Sequence, residues 1–210
     1  MAASSNSSII FDDKKRWGGI LENPYLTRAQ RFCLDNGRVM NLKRVLKSYA
    51  LDSLLDVCCG TGEYVSIQKK GYVGIDNSVS FLSFAKQKNQ HCRFVLGDAM
   101  TLPFLDGAFD ASLLACASHH LADADFLFVL KEMKRVSRKF IFVDDSLRTN
   151  NQNPISKFFY GLDRGKSFRT PEDMARILTL LDNTDLKEKI FYKTFPAIHL
   201  HGVFVLEVVH

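Results

Sequence analysis

The chain has 210 residues, 46% hydrophobic and 24% charged, with only 12 Gly and 5 Pro, which fits one globular domain and excludes disordered, collagen-like and coiled-coil chains. Its longest run without Asp, Glu, Lys or Arg, Thr194 to Leu206, holds two His and a Pro and is far short of the ~20 apolar residues that cross a bilayer, so no transmembrane segment is expected. The whole net charge of +5 lies in residues 1–50, where 9 Lys and Arg face 4 Asp and Glu; such an end suits an acidic substrate, a nucleic acid or an anionic surface, or is a solvated face with no partner.

Met1 to Ser8 is small and polar and lacks the basic cluster and apolar run of a secretory signal, so it reads as a frayed tail. Five cysteines, Cys33, Cys58, Cys59, Cys92 and Cys116, form no C-x-x-C pair and fall mostly in hydrophobic segments. That is the pattern of reduced core cysteines in a cytoplasmic protein without a zinc site. Two helical patterns follow, Leu26–Leu34 and the stripe Val39, Leu42, Val45, Leu46 and Tyr49. With the tail they make residues 1–50 a segment of cap helices ahead of a main body, 51–210, in one structural domain.

From Leu51 the rhythm changes to short apolar runs alternating with amphipathic helices. Leu51–Val57 leads to Glu63–Lys70, Tyr72–Ile75 to Ser78–Lys88, Arg93–Leu96 to a loop, Phe109–Cys116 to Ala122–Arg138, and then Phe140–Val143. Strict alternation predicts an α/β fold with a doubly wound, mostly parallel sheet covered on both faces. A loop is expected over Ser146–Arg169, ending where Thr170 caps a helix, Pro171 takes its first position and Asp173 sits three residues after the cap. Lys189–Phe195 and Val203–Val209 are too close together for a crossover helix and should close the sheet as an antiparallel hairpin.

Chemistry concentrates where a buried strand, Leu54-Leu55-Asp56-Val57, runs into Cys58-Cys59-Gly60-Thr61-Gly62 and a helix. Ligands of open parallel sheets bind beyond such carboxyl ends, and glycines let them approach the backbone. Asp76 ends the second strand and Asp98 follows the third. An acid at the end of strand two can accept both ribose hydroxyls, each charge-assisted contact worth about 1.5–3 kcal/mol. Val65 stands where a dinucleotide site has its third glycine, so the turn suits a nucleoside without a diphosphate.

These residues resemble the class I S-adenosylmethionine-dependent methyltransferases: Asp56 to Gly62 for the first motif, Gly74-Ile75-Asp76-Asn77-Ser78 for the second, and Gly97-Asp98-Ala99 with Leu102-Pro103-Phe104 and Phe109-Asp110 for the third. Ala117-Ser118-His119-His120-Leu121 is similar to the segment after strand four in small-molecule enzymes such as those of ubiquinone and menaquinone biosynthesis. The resemblance covers Leu54 to Asp144 and implies a Rossmann-like, seven-stranded sheet and S-adenosylmethionine as cofactor. It further implies that Asp56, Gly60 and Gly62 line the methionine part, Asp76 holds the ribose, Asn77 lies against the adenine, and Asp98 with the Ala99 backbone reads the adenine edge. Cys58 replaces the usual glycine, so the backbone there must tolerate a Cβ.

A histidine just past strand four, His119 or His120, is the candidate general base for an acceptor that must lose a proton. Asp144 and Asp145 end strand five, but strand four ends in Ala115-Cys116 with no oxygen ligand to pair with them, so no metal is expected. Trp17, Tyr25, and the segment Phe158 to Arg169 with Arg164 should roof the acceptor pocket or anchor the core. The implied function is methylation of a small molecule at O, N or C; the alternatives are an RNA or tRNA methyltransferase, suggested by the basic first fifty residues, and a binding protein of the same fold without turnover. Asp76→Ala is expected to weaken cofactor binding with little change in folding.

Overall fold

The apolar stripe ahead of the main body becomes α1 (Arg38–Lys47), which buries Leu42, Val45 and Leu46. The computed structural model describes residues 23–25, 37–68, 70–150, 152, 154–162, 165, 167–194 and 199–209; the helix expected over Leu26–Leu34, Trp17 and Arg164 lie outside them. Each expected strand forms: β1 (Leu54–Val57), β2 (Tyr72–Asp76), β3 (Arg93–Leu96), β4 (Phe109–Ala115), β5 (Ser137–Leu147), β6 (Thr184–Lys193) and β7 (Leu200–Val208). They join one sheet in the order β3-β2-β1-β4-β5-β7-β6. The first five strands are parallel, and β7 inserts antiparallel between β5 and β6, so the expected terminal hairpin is present.

Helices cover both faces, as the alternation requires. On one face α3 (Asp123–Val136) and α5 (Pro171–Leu178) pack Phe126, Met133 and Ile177 onto Leu55, Val57, Leu114, Ile141 and Val143. On the other, Leu42 and Leu46 of α1 meet Leu54, Leu113, Phe142 and Val205. Odd and even residues of each central strand thus feed different cores, which is why these strands read as unbroken apolar runs rather than alternating ones. The chain order reverses between β1 and β4, and a ligand crevice belongs outside the carboxyl ends beside that reversal.

Three expectations need correction. The helix expected over Glu63–Lys70 is only a 3-10 turn, Glu63–Ser66, preceded by Gly62 in a left-handed conformation with no side-chain cap. No side-chain oxygen caps its first turn, and β-branched Val65 adds little helix preference. The loop expected over Ser146–Arg169 contains α4 (Pro154–Leu162). Its signal was Pro154 at the first helical position with Ile155, Phe158, Phe159 and Leu162 at helical spacing, masked by the neighbouring asparagines. β5 extends to Ser137 and Leu147 at its two ends, because β4 and β7 flank it on both sides. The helix α2 (Val79–Lys88) and α5 keep their expected starts: Ser78 Oγ accepts from Phe81 N–H, and Thr170 Oγ1 from Asp173 N–H at 3.1 Å.

Candidate cofactor and active site

β1 ends at Val57 and the chain then turns through three left-handed residues, Cys58 (φ 58°), Gly60 (φ 51°) and Gly62 (φ 72°). Cys59 N–H donates to Ile75 carbonyl at 3.0 Å, and Gly60 N–H donates to Asp76 Oδ2 at 2.8 Å, so the turn is stitched to the end of β2. Asp76 Oδ1 accepts from Ser78 N–H at 2.9 Å and thereby leads the chain into α2. Asp98, past β3, accepts from Met100 N–H at 2.9 Å, which fixes the orientation of the next turn. A solvent-open cleft lies against these strand ends. Cys58, Asp76, Asn77, Asp98 and Ala99, all singled out from the sequence, line it together with Ile75, Met100, Leu121 and Val129.

Cys58 does occupy a backbone region that glycine prefers. A left-handed conformation costs a residue with a Cβ about 1–2 kcal/mol, while glycine gives back about 0.5–1 kcal/mol of unfolded-state entropy. Cys58→Gly is therefore expected to leave stability unchanged or raise it by up to about 1.5 kcal/mol; a clear fall in a melting experiment would show that the thiol packs better than its backbone suggests.

Other expected cofactor residues are placed differently. Asp56 is buried within the sheet, where its Oδ2 accepts from Tyr72 hydroxyl at 2.5 Å, and it is not among the residues lining the cleft. Gly62 is not among them either; a Cβ there would meet Ala85 Cβ at 3.2 Å and Phe94 Cζ at 3.3 Å, so its bareness serves packing on α2 and β3. Gly60 contributes its N–H to Asp76 instead of a lining surface.

The two histidines past β4 differ sharply. His119 is 5% exposed, and its Nδ1 lies 2.6 Å from Asp145 Oδ1, while its N–H donates to Asp145 Oδ2 at 2.9 Å. Ser118 hydroxyl and Ser146 N–H also donate to Asp145. Burial alone would raise the Asp145 carboxyl; the His119 ring and these donors more than offset it and hold it down at about 2. The His119 ring stacks on Phe168 at 4.7 Å and 8°. His120 is exposed, with its ring 4.2 Å from that of His119. Neither histidine lines the cleft.

Arg169, which ends the segment expected to roof the acceptor pocket or anchor the core, is an internal clamp. It donates to Ser118 carbonyl at 2.8 Å, to Leu121 carbonyl at 2.8 Å and to Asp123 Oδ1, and its guanidinium lies 4.7 Å over the Phe126 ring. Tyr160 donates to Leu147 carbonyl and stacks on His199, which places it in the core-anchor role; Tyr25 is exposed and meets Phe84 edge-on.

The sheet order, the glycine turn after β1 and the cleft across the ends of β2 and β3 make a Rossmann-like fold with an antiparallel carboxyl-terminal hairpin. Residues 54–139 match the methyltransferase domain family. Over 106 residues the chain is 37% identical to demethylmenaquinone methyltransferase of Staphylococcus aureus strain JH9, covering 45% of this chain and 43% of that protein, so it spans less than half the length of this curated relative. Magnesium protoporphyrin IX methyltransferase from Synechocystis PCC 6803, solved with bound SAH, superposes with a TM-score of 0.65 at 16% identity over 81% of this chain and 82% of that one. A methyltransferase from Methanosarcina mazei does so with 0.65 at 16% identity over 79% and 97%. These matches support S-adenosylmethionine as the cofactor, and the cleft sets apolar Ile75, Leu121 and Val129 beside the carboxylates of Asp76 and Asp98.

Proposed function

We propose that this chain is a working methyltransferase that moves the methyl group of S-adenosylmethionine onto a small-molecule acceptor. The observation that supports this most is the meeting of Cys58, Asp76, Asn77, Asp98 and Ala99 around one cleft. Bound there, the cofactor would supply an electrophilic methyl on a sulfonium. Asp76 would accept from the ribose hydroxyls, Asn77 would lie against the adenine, and Asp98 with Ala99 N–H would read its edge. Leu121 and Val129 would exclude water from the same wall. Transfer of this kind needs an aligned nucleophile in a dry pocket and no covalent help from the protein.

Where the acceptor must lose a proton, His120 is the better base of the two, because it is exposed while His119 is closed in by Asp145 and Phe168. Among the described residues no helix is long and apolar enough to cross a membrane. Incubating the full chain with methyl-labelled S-adenosylmethionine and a cell extract, separated afterwards into small molecules and RNA, tests the reading. Label in a small molecule is the expected result. Label in RNA alone would transfer the function to the nucleic-acid alternative, and cofactor binding without any labelled product would favour the binding protein.

A further inference from the structure

Adjacent Asp144 and Asp145 point to opposite faces of β5, and only Asp145 belongs to the histidine network described above. Asp144 faces the α1 side, where it is fully buried. Its Oδ1 accepts from Tyr192 hydroxyl at 2.8 Å, but its Oδ2 has no hydrogen-bond partner among the described residues. Burial pushes this carboxyl above its ordinary value, and His201, Arg38 and the Tyr192 hydroxyl offset that only in part. Two buried groups face it. Cys116, just past β4 in a left-handed conformation, and His201 of β7 bring a sulfur and a ring nitrogen to within 4.8 Å of each other and of an Asp144 oxygen. His201 Nδ1 lies 4.0 Å from Asp144 Oδ1, beyond hydrogen-bond length.

From this geometry we propose that Cys116, Asp144 and His201 form a buried binding site for a divalent ion of the zinc class, which would lock β4, β5 and β7 together beneath α1. Two ligands of one tetrahedral zinc lie about 3.4–3.6 Å apart, so closing the present spacing takes shifts of about 1 Å. Thiolate, imidazole and carboxylate together suit a borderline-soft ion and do not suit magnesium or calcium.

The charges are also consistent. Arg38 donates to Cys116 Sγ at 2.8 Å and forms a salt bridge with Glu63 at 3.1 Å. A divalent ion bound there would deprotonate the Cys116 thiol and hold Asp144 as the carboxylate, with the Arg38–Glu63 ion pair beside them. Tyr64 hydroxyl is also buried without a partner among the described residues, and the Arg38 guanidinium lies 5.7 Å over its ring. This site stands on the sheet face opposite His119 and is independent of the cofactor reading.

Cobalt titration of the metal-stripped full chain tests it. One equivalent should bind and produce a thiolate-to-cobalt charge-transfer absorption, and zinc should displace it. Outer-shell losses alone cost metal sites 10–100-fold, so the ligand change Cys116→Ser should weaken binding by at least about a hundredfold and abolish the band, while Cys92→Ser should keep it. Zinc should raise the melting temperature of the wild-type chain and not that of His201→Gln. A folded wild-type chain that gives no such band, or a band that survives in Cys116→Ser, overturns the proposal.

Discussion

Asp76→Asn is expected to weaken S-adenosylmethionine binding by about tenfold or more. The substitution removes the charge that strengthens two ribose contacts, each worth about 1.5–3 kcal/mol, and each 1.4 kcal/mol lost is tenfold in affinity. The asparagine keeps one oxygen for Gly60 N–H, so the variant should fold. Asp76→Ala is a poorer test than the sequence suggested. Because the carboxylate accepts from both Gly60 and Ser78 N–H, its removal leaves a buried donor unsatisfied, at about 1–3 kcal/mol of stability. Calorimetry on folded Asp76→Asn decides the matter, and an unchanged dissociation constant would remove Asp76 from the ribose.

The largest stability effect is expected at Asp145. Asp145→Ala withdraws a fully buried carboxylate that satisfies Ser118, His119 and Ser146 together. Breaking a buried charged pair from one side costs about 3–5 kcal/mol, a large share of the 5–15 kcal/mol that a domain has in total. At about 2–4 °C per kcal/mol for a chain of this size, the melting temperature should fall by roughly 6–20 °C. Cofactor affinity of the folded fraction should persist, since Asp145 is not among the residues lining the cleft. A shift below about 2 °C would show that the network contributes almost nothing to the fold.

The two variants also mark the limit of what the sequence made legible. Asp76, Asn77 and Asp98 could be found because each stands at or just past a strand end whose apolar run is visible, and strand ends of a parallel sheet share one edge. The glycine turn was visible for the same reason, although its Gly62 packs closely on α2 and β3. Asp145 and His119 are 26 positions apart, and Arg169 reaches Asp123 across 46, separations over which no periodicity indicates a partner. His201 meets Asp144 only because β7 inserts beside β5, a register the hairpin alone does not specify. α4 was hidden because the asparagines before Pro154 signal a turn more strongly than the following spacing signals a helix. Local patterns thus disclosed the sheet and its ligand edge, whereas polar networks formed between distant strands required the fold.

Titrating the wild-type chain with S-adenosylmethionine and with its demethylated product in a calorimeter tests the central claim most directly. The account predicts heat from one site per chain for both compounds, with a matching rise in melting temperature. No heat and no thermal shift from either compound, in protein that is demonstrably folded, would contradict it.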